Sequence, residues 1–125
     1  QHLGNRVKFY NSDIDKFFFG KYDLILSNPP YIPSRQIKNL SKDIINFEPK
    51  IALDGGLDGL DLIKKVIYKS RYLLKRSGLL AIEIGFKQYQ KVSGLLKKNG
   101  FREINKVYDY KRNVRCIIST KIDFF

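Results

Sequence analysis

Histidine, cysteine and tryptophan are almost or entirely missing from this chain: its 125 residues include one His, one Cys, no Trp and no Met. With His2 as the sole imidazole, no His-based metal site and no Ser-His-Asp triad can be assembled within it, and no metal centre is expected. A single thiol excludes a disulfide framework and favours a reducing compartment. Cys116 lies inside the apolar run Val114 to Ile118 and is expected to be a small core residue. No stretch is long or apolar enough to span a bilayer, and no signal peptide is visible, so a cytoplasmic location is expected. Acidic residues are also scarce: 12 Asp and Glu stand against 24 Lys and Arg, a formal charge of +12. Such a balance invites a polyanionic partner such as nucleic acid or a ribosome-bound substrate. Most of the charge is Lys, however, in a chain also rich in Ile, Asn, Phe and Tyr, and a general compositional bias gives the same pattern. Lys64, Lys65, Lys69, Lys91, Lys97 and Lys98 fall in helical segments, where solvated faces are the ordinary explanation.

Proline is sparse as well, with four in the chain, and two of them are adjacent. Asn28-Pro29-Pro30-Tyr31 follows the apolar run Tyr22 to Ser27, which reads as a buried strand ended by a breaker. Proline fixes its own φ and pushes the preceding residue out of the helical region. The tandem therefore holds Asn28 and Pro29 extended. It projects the Asn28 amide and nearby carbonyls just past a strand's carboxyl end, where ligands bind in open α/β sheets. Tyr31 adds a flat aromatic face, suited to a planar, hydrogen-bonding group. A plain strand exit, with Tyr31 as a lid on the core, is the competing reading.

Upstream, Arg6 to Tyr10 alternates as a short strand should. Asn11-Ser12-Asp13 breaks it; Asp13 can accept a hydrogen bond from a ligand amine, although the cluster is also ordinary turn chemistry. Phe17-Phe18-Phe19 is expected to pack on the sheet. Downstream, residues 32 to 54 lose periodicity, and a loop of that length in a compact domain is usually a lid or a substrate-binding loop. Asp54 to Gly59 reads as a turn leading into a helix, since its carboxylates would repel phosphate. Leu60 to about residue 75 has helical spacing, and Leu79 to Gly85 reads as a second buried strand. Glu83 interrupts that strand as either a site wall or half of an ion pair. Phe86 to Lys98 predicts a helix closed by Asn99-Gly100, and Phe101 to Tyr110 with Val114 to Thr120 predicts a terminal hairpin. The order strand, strand, helix, strand, helix, strand, strand implies a parallel α/β sheet with one antiparallel strand at or near its edge.

That order resembles the second half of the class I (Rossmann-like) methyltransferase fold. Asn28-Pro29-Pro30-Tyr31 is similar to the tetrapeptide of S-adenosylmethionine-dependent enzymes that methylate a planar nitrogen. Phe47-Glu48-Pro49, Ala52-Leu53, Gly56, Gly59 and Glu83-Ile84-Gly85 narrow the resemblance to the release-factor glutamine methyltransferases (the HemK/PrmC family). Asp109 to Arg115 is similar to that family's closing Asp…Arg segment, without its usual Gly. The resemblance implies methyl transfer from S-adenosylmethionine to the side-chain nitrogen of Gln in the Gly-Gly-Gln motif of peptide chain release factors. It implies Asn28, Pro29, Pro30 and Tyr31 as catalytic and substrate-binding residues, with Phe47 and Glu48 also binding substrate. It places Asn28, Asp13 and Ile14 at the cofactor, although Ile14 stands where an aromatic residue is usual. The Gly-rich cofactor loop and the acidic residue after a second strand do not occur before residue 22. Residues 1–125 are thus expected to be a partial methyltransferase catalytic domain, a carboxyl-terminal fragment that is inactive alone. The expected partners are release factors, with no membrane, no required nucleic acid and a monomeric state. The alternatives are a nucleobase amine methyltransferase acting on DNA or RNA, and a non-catalytic basic binding module.

Overall fold

A computed structural model describes residues 5–32, 56 and 59–122. Its centre is a four-stranded sheet built from β1 (Tyr22–Ser27), β2 (Leu74–Glu83), β3 (Phe101–Tyr108) and β4 (Val114–Lys121) in the order β1-β2-β4-β3. Helix α1 (Asp61–Leu73) leads directly into β2, and helix α2 (Tyr89–Lys98) joins β2 to β3. β1 and β2 are parallel, whereas β4 runs antiparallel to both β2 and β3. The expected antiparallel strand is therefore one place in from the edge, between the two strands that point the other way.

Side-chain period decides which face is covered. Along β2, Leu80 and Ile82 are fully buried, as is Ile84 just beyond it, while Leu79, Ala81 and Glu83 turn to the opposite face and are half-buried. On α1, the buried residues Ile63, Val66, Ile67, Ser70 and Leu73 recur at helical spacing. Ser70 fits this apolar stripe because its hydroxyl donates to the Val66 carbonyl at 2.7 Å. Val92 and Leu96 of α2 join the same core with Phe101 and Ile117. Each such side chain removed from water contributes about 1.5–3 kcal/mol. Both helices lie on one side of the sheet. On the other side Leu24 and Leu26 of β1 are exposed, so its apolar run is covered on one face only among the described residues.

Several boundaries differ from the sequence reading. Residues 6–10 form no strand, because an alternating pattern becomes a strand only with a ladder partner, and none of the described strands pairs with them. Phe17 is half-buried, but Phe18 and Phe19 are 74% and 60% exposed rather than packed on the sheet. The strand expected from Leu79 begins at Leu74, with an irregular register between the Tyr22–Leu74 and Leu24–Leu79 pairs. The helix expected from Phe86 starts at Tyr89, after a turn in which Lys87 has φ 64°. Cys116 is not a core residue; it sits half-buried on the face away from the helices. The Asn99-Gly100 helix end is as expected: Gly100 takes φ 83°, and its N–H donates to the Lys97 carbonyl at 3.2 Å. No helix among the described residues is long and apolar enough to cross a membrane.

The β3–β4 turn shows how the missing glycine is accommodated. Arg112 occupies the left-handed region at φ 67°, which costs a side-chain-bearing residue about 1–2 kcal/mol. The Asp109 carboxylate holds the turn in place, accepting from the backbone N–H groups of Lys111 at 2.8 Å and Asn113 at 2.9 Å. Arg112→Gly is expected to raise the melting temperature by about 3 °C, the relieved strain exceeding glycine's added unfolded-state entropy. Thermal denaturation followed by circular dichroism checks it, and a lower melting temperature would show that the Arg112 side chain makes compensating contacts.

Candidate active site

β1 delivers Asn28 to the carboxyl end of the sheet. Asn28 is exposed, Pro29 is buried, and Pro30 and Tyr31 are half-buried. The tetrapeptide is thus anchored at its centre and open at the residue that carries an amide. Its far end is held by Gln88, a buried side chain at the start of α2. The Gln88 Nε2 donates to the Tyr31 carbonyl at 2.9 Å and to the Gly59 carbonyl at 3.4 Å, while its Oε1 accepts from the Gly85 N–H at 2.7 Å. One side chain therefore ties together the segments that follow β1, precede α1 and follow β2. The Tyr31 ring packs on the core directly over Gly85, where an added Cβ would come within 2.7 Å of it. This is why Gly85 must lack a side chain. The sequence reading missed Gln88 because it falls within the segment Phe86 to Lys98, read as a helix without regard to its individual polar side chains. The only local signal was its place three residues after Gly85.

Two clefts meet at Leu26 and Ser27. One, of about 520 Å³, is lined by Asn28 together with Ala81, Glu83, Val107, Arg115 and Cys116. Glu83 therefore lines the cleft that contains Asn28, one of the two roles the sequence left open. Arg115 is oriented there by the hairpin turn, its Nε donating to Asp109 Oδ2 at 3.0 Å. The Asp109 carboxyl is held below its ordinary range, chiefly by the Asn113 backbone N–H and also by the Arg115 guanidinium, against a partial desolvation that pushes it up. The Asp…Arg segment noted in the sequence thus braces a residue that lines the Asn28 cleft. Cys116 has its thiol pushed up by desolvation first and by the Glu83 carboxylate second. Its alkylation rate is expected to stay low through neutral pH and to rise only above the ordinary thiol range. Glu83→Gln removes the second cause, so Cys116 in that variant should react faster at a fixed mildly alkaline pH. Iodoacetamide labelling read by mass spectrometry checks this, and an unchanged rate would place Glu83 away from the thiol.

The second cleft, of about 420 Å³, lies on the β1 edge, with Ser12, Ile14 and Phe17 from the upstream segment facing Ile25, Ser27 and Val66 among others. Ile14 begins a single 3-10 turn, Ile14–Lys16. Asp13, immediately before it, is exposed, makes no side-chain cap, and lines neither cleft. Its backbone carbonyl accepts from Lys16 N–H at 3.0 Å, the turn chemistry favoured by the sequence. The structure therefore brings Ile14 and Asn28 to adjoining clefts and leaves Asp13 outside them. Phe47, Glu48, Pro49 and the rest of the 33–55 stretch lie outside the described residues. The β1-edge cleft sets the hydroxyls of Ser12, Ser27, Ser70 and Tyr22 among apolar walls, with the Ser70 hydroxyl already engaged by the Val66 carbonyl, a lining that fits a flat heterocycle such as adenine.

No protein-family model matches the chain. The chain is 37% identical over 123 residues to the release factor glutamine methyltransferase of Clostridium acetobutylicum, an alignment covering 96% of this chain and 43% of that protein. Against the release factor glutamine methyltransferase of Fusobacterium nucleatum the identity is 43% over 119 residues, covering 92% of this chain and 33% of that one. The chain thus spans less than half the length of these relatives. Among solved structures, the protein-(glutamine-N5) methyltransferase (release factor-specific) from Alicyclobacillus acidocaldarius superposes with a TM-score of 0.51 at 26% identity, over 82% of this chain and 50% of that one. A putative DNA modification methylase from Thermus thermophilus gives a TM-score of 0.57 at 18% identity, over 90% of this chain and 51% of that one, a likeness of fold alone. The sheet and its helices are those of the class I, Rossmann-like methyltransferases.

Proposed function

Because the chain belongs to the release factor glutamine methyltransferase family, we propose that the protein carrying it methylates the side-chain amide nitrogen of glutamine in the Gly-Gly-Gln motif of peptide chain release factors. The observation that carries the reading is the state of the tetrapeptide: Asn28 open to a cleft, Pro29 buried beneath it, and Tyr31 tied to Gln88. S-adenosylmethionine, when bound, supplies a methyl group already activated by its sulfonium. Ser12, Ile14 and Ser27 would hold its adenine, with Asp13 beside them.

The chemistry left to the protein is to make an amide nitrogen reactive. Its lone pair is delocalised into the carbonyl, so it is a poor nucleophile. In the proposal, Asn28 Oδ1 accepts one N–H of the substrate amide and the Pro29 carbonyl accepts the other, while Tyr31 borders the amide plane. Two acceptors aimed at those protons raise electron density on nitrogen and orient the lone pair. Holding the acceptor nitrogen in line with the methyl carbon supplies much of the remaining rate. Once alkylated, the nitrogen sheds its extra proton to water, so no dedicated base is required. Phe47 and Glu48 are proposed to contact the substrate protein.

Transfer of labelled methyl from S-adenosylmethionine to a release factor, using the full-length gene product, tests the reading. Label on the Gly-Gly-Gln glutamine is the expected result. Label on DNA or RNA instead would move the acceptor to a nucleobase amine. No label anywhere from a protein that binds the cofactor would leave a binding module without catalysis.

A further inference from the structure

The end of the sheet opposite Asn28 has a different character. There the first residues of β1 and β2 meet the last turn of α1, about 20 Å from the candidate site along β1. Phe18, Tyr68 and Tyr72 expose 74%, 52% and 51% of their surface, which is unusual for three aromatic rings around one cavity of about 380 Å³. Cations are interleaved with them. The Lys69 ammonium stands 3.3 Å from the centre of the Phe18 ring, and the Arg71 guanidinium lies 5.6 Å from the centres of both the Tyr68 and Tyr72 rings. Lys21, on the cavity wall, donates from Nζ to the Tyr72 carbonyl at 2.6 Å, and Lys121 donates to the Leu74 carbonyl at 3.0 Å. Nearby acids are occupied at the rim, where Asp23 pairs with Lys75 at 3.3 Å and Asp15 with Lys65 at 3.2 Å. The density of positive charge is high enough that Lys21 and Arg71 both push the Lys121 ammonium down, after burial itself.

Lys69 also departs from its expected solvated position, being 8% exposed. A lysine buried against a ring holds its charge beneath the patch and braces the Phe18 ring, leaving Lys21 and Arg71 as the cations at the surface. Exposed rings offer a stacking face to unpaired bases, and cations spaced between them meet the phosphates that link those bases. A duplex buries the faces of its bases and gains nothing from the rings. Folded RNA presents unpaired bases in loops and ends as a standing feature, whereas cellular DNA shows them only when opened.

We infer that the Phe18–Tyr68–Tyr72 cavity with Lys21 and Arg71 is a docking surface for a single-stranded segment of RNA, separate from the site around Asn28. It recognises stacking and backbone charge rather than sequence, and it holds with or without the proposed methyl transfer.

Fluorescence anisotropy with the full-length protein and a labelled short oligouridine tests it. Binding is expected to weaken with added salt, the logarithm of the affinity falling with a slope of about −1.4 against the logarithm of salt for about two phosphates neutralised. Tyr68→Leu and Tyr72→Leu keep helix-forming, apolar side chains while removing the rings, and each is expected to weaken binding about tenfold, within the range of one lost base stack. Asn28→Ala should bind as the parent does, and both tyrosine variants should keep the parent's methyl transfer and melting temperature. Equal affinity for a duplex of the same length, or tyrosine variants that bind normally, would overturn the inference. So would tighter binding to vesicles containing anionic lipid or to polyglutamate, which would assign the patch to a membrane or to an acidic protein.

Discussion

Alanine at position 28 is expected to lower methyl transfer by about a hundred- to a thousandfold, the usual cost of deleting one preorganised polar group from a reacting centre. The side chain is exposed at the end of β1 and touches the cleft rather than the core. Stability should therefore change by less than about 0.5 kcal/mol. The loss should fall on kcat more than on KM, because acceptors facing the amide protons matter most as nitrogen begins to share its lone pair. Asn28→Asp offers a second measurement. It keeps the acceptor oxygen, puts a second acceptor where the amide NH2 was and adds charge, so it should retain more activity than alanine if acceptance is what Asn28 supplies. Steady-state rates with a Gly-Gly-Gln peptide would decide. A normal kcat in the alanine variant would remove Asn28 from the chemistry.

Leucine in place of Gln88 should cost about 2–4 kcal/mol of stability, since it leaves the buried Gly85 N–H and the Tyr31 carbonyl without the partner they now share. Gln88 does not reach the Asn28 cleft; it acts as a positioning residue, by fixing the end of the tetrapeptide. Its effect on rate should therefore exceed what the unfolded fraction explains, with kcat reduced at temperatures well below the melting transition. Gln88→Glu separates the two ends of the side chain. A carboxylate still accepts from Gly85 but cannot donate to Tyr31, so its stability should fall between the parent and the leucine variant. Chemical denaturation alongside kcat gives both readouts. Full activity per folded molecule in the leucine variant would mean that the prolines alone hold the loop.

The comparison of sequence with structure divides along physical lines. β1, the two helices and the closing hairpin were readable because each carries its own period or its own breaker: the apolar run before Asn28, the stripe from Ile63 to Leu73, the Asn99-Gly100 stop. Alternation at residues 6–10 misled, since a ladder needs a partner that no local pattern can supply. Phe17 to Phe19 misled for a similar reason: apolar character says a ring prefers burial, not that anything is present to bury it. In the site, Asn28 to Tyr31 stood out because two consecutive prolines restrict the backbone by themselves. Gln88 and the placement of Arg115 beside the Asn28 cleft did not, because both depend on contacts across long sequence separations, Gln88 to Tyr31 and β4 to β2. The likeness of the Asp109 to Arg115 segment was visible, but its role as a brace for a cleft wall was not.

The position of β4 has a consequence for how the protein comes to be made. It is the last of the described strands in the chain, yet it is the sole link between β2 and β3 in the sheet. Until residues 114–121 have left the ribosome, β3 has no edge to join, and β2 presents an unpaired edge of alternating Leu, Ile and Ala. Synthesis at about 5–20 residues per second thus holds a half-sheet open until β4 emerges, an interval in which another chain's strand can add to it. A stop codon inside β4 would make that transient permanent, turning a monomeric intermediate into an aggregating product.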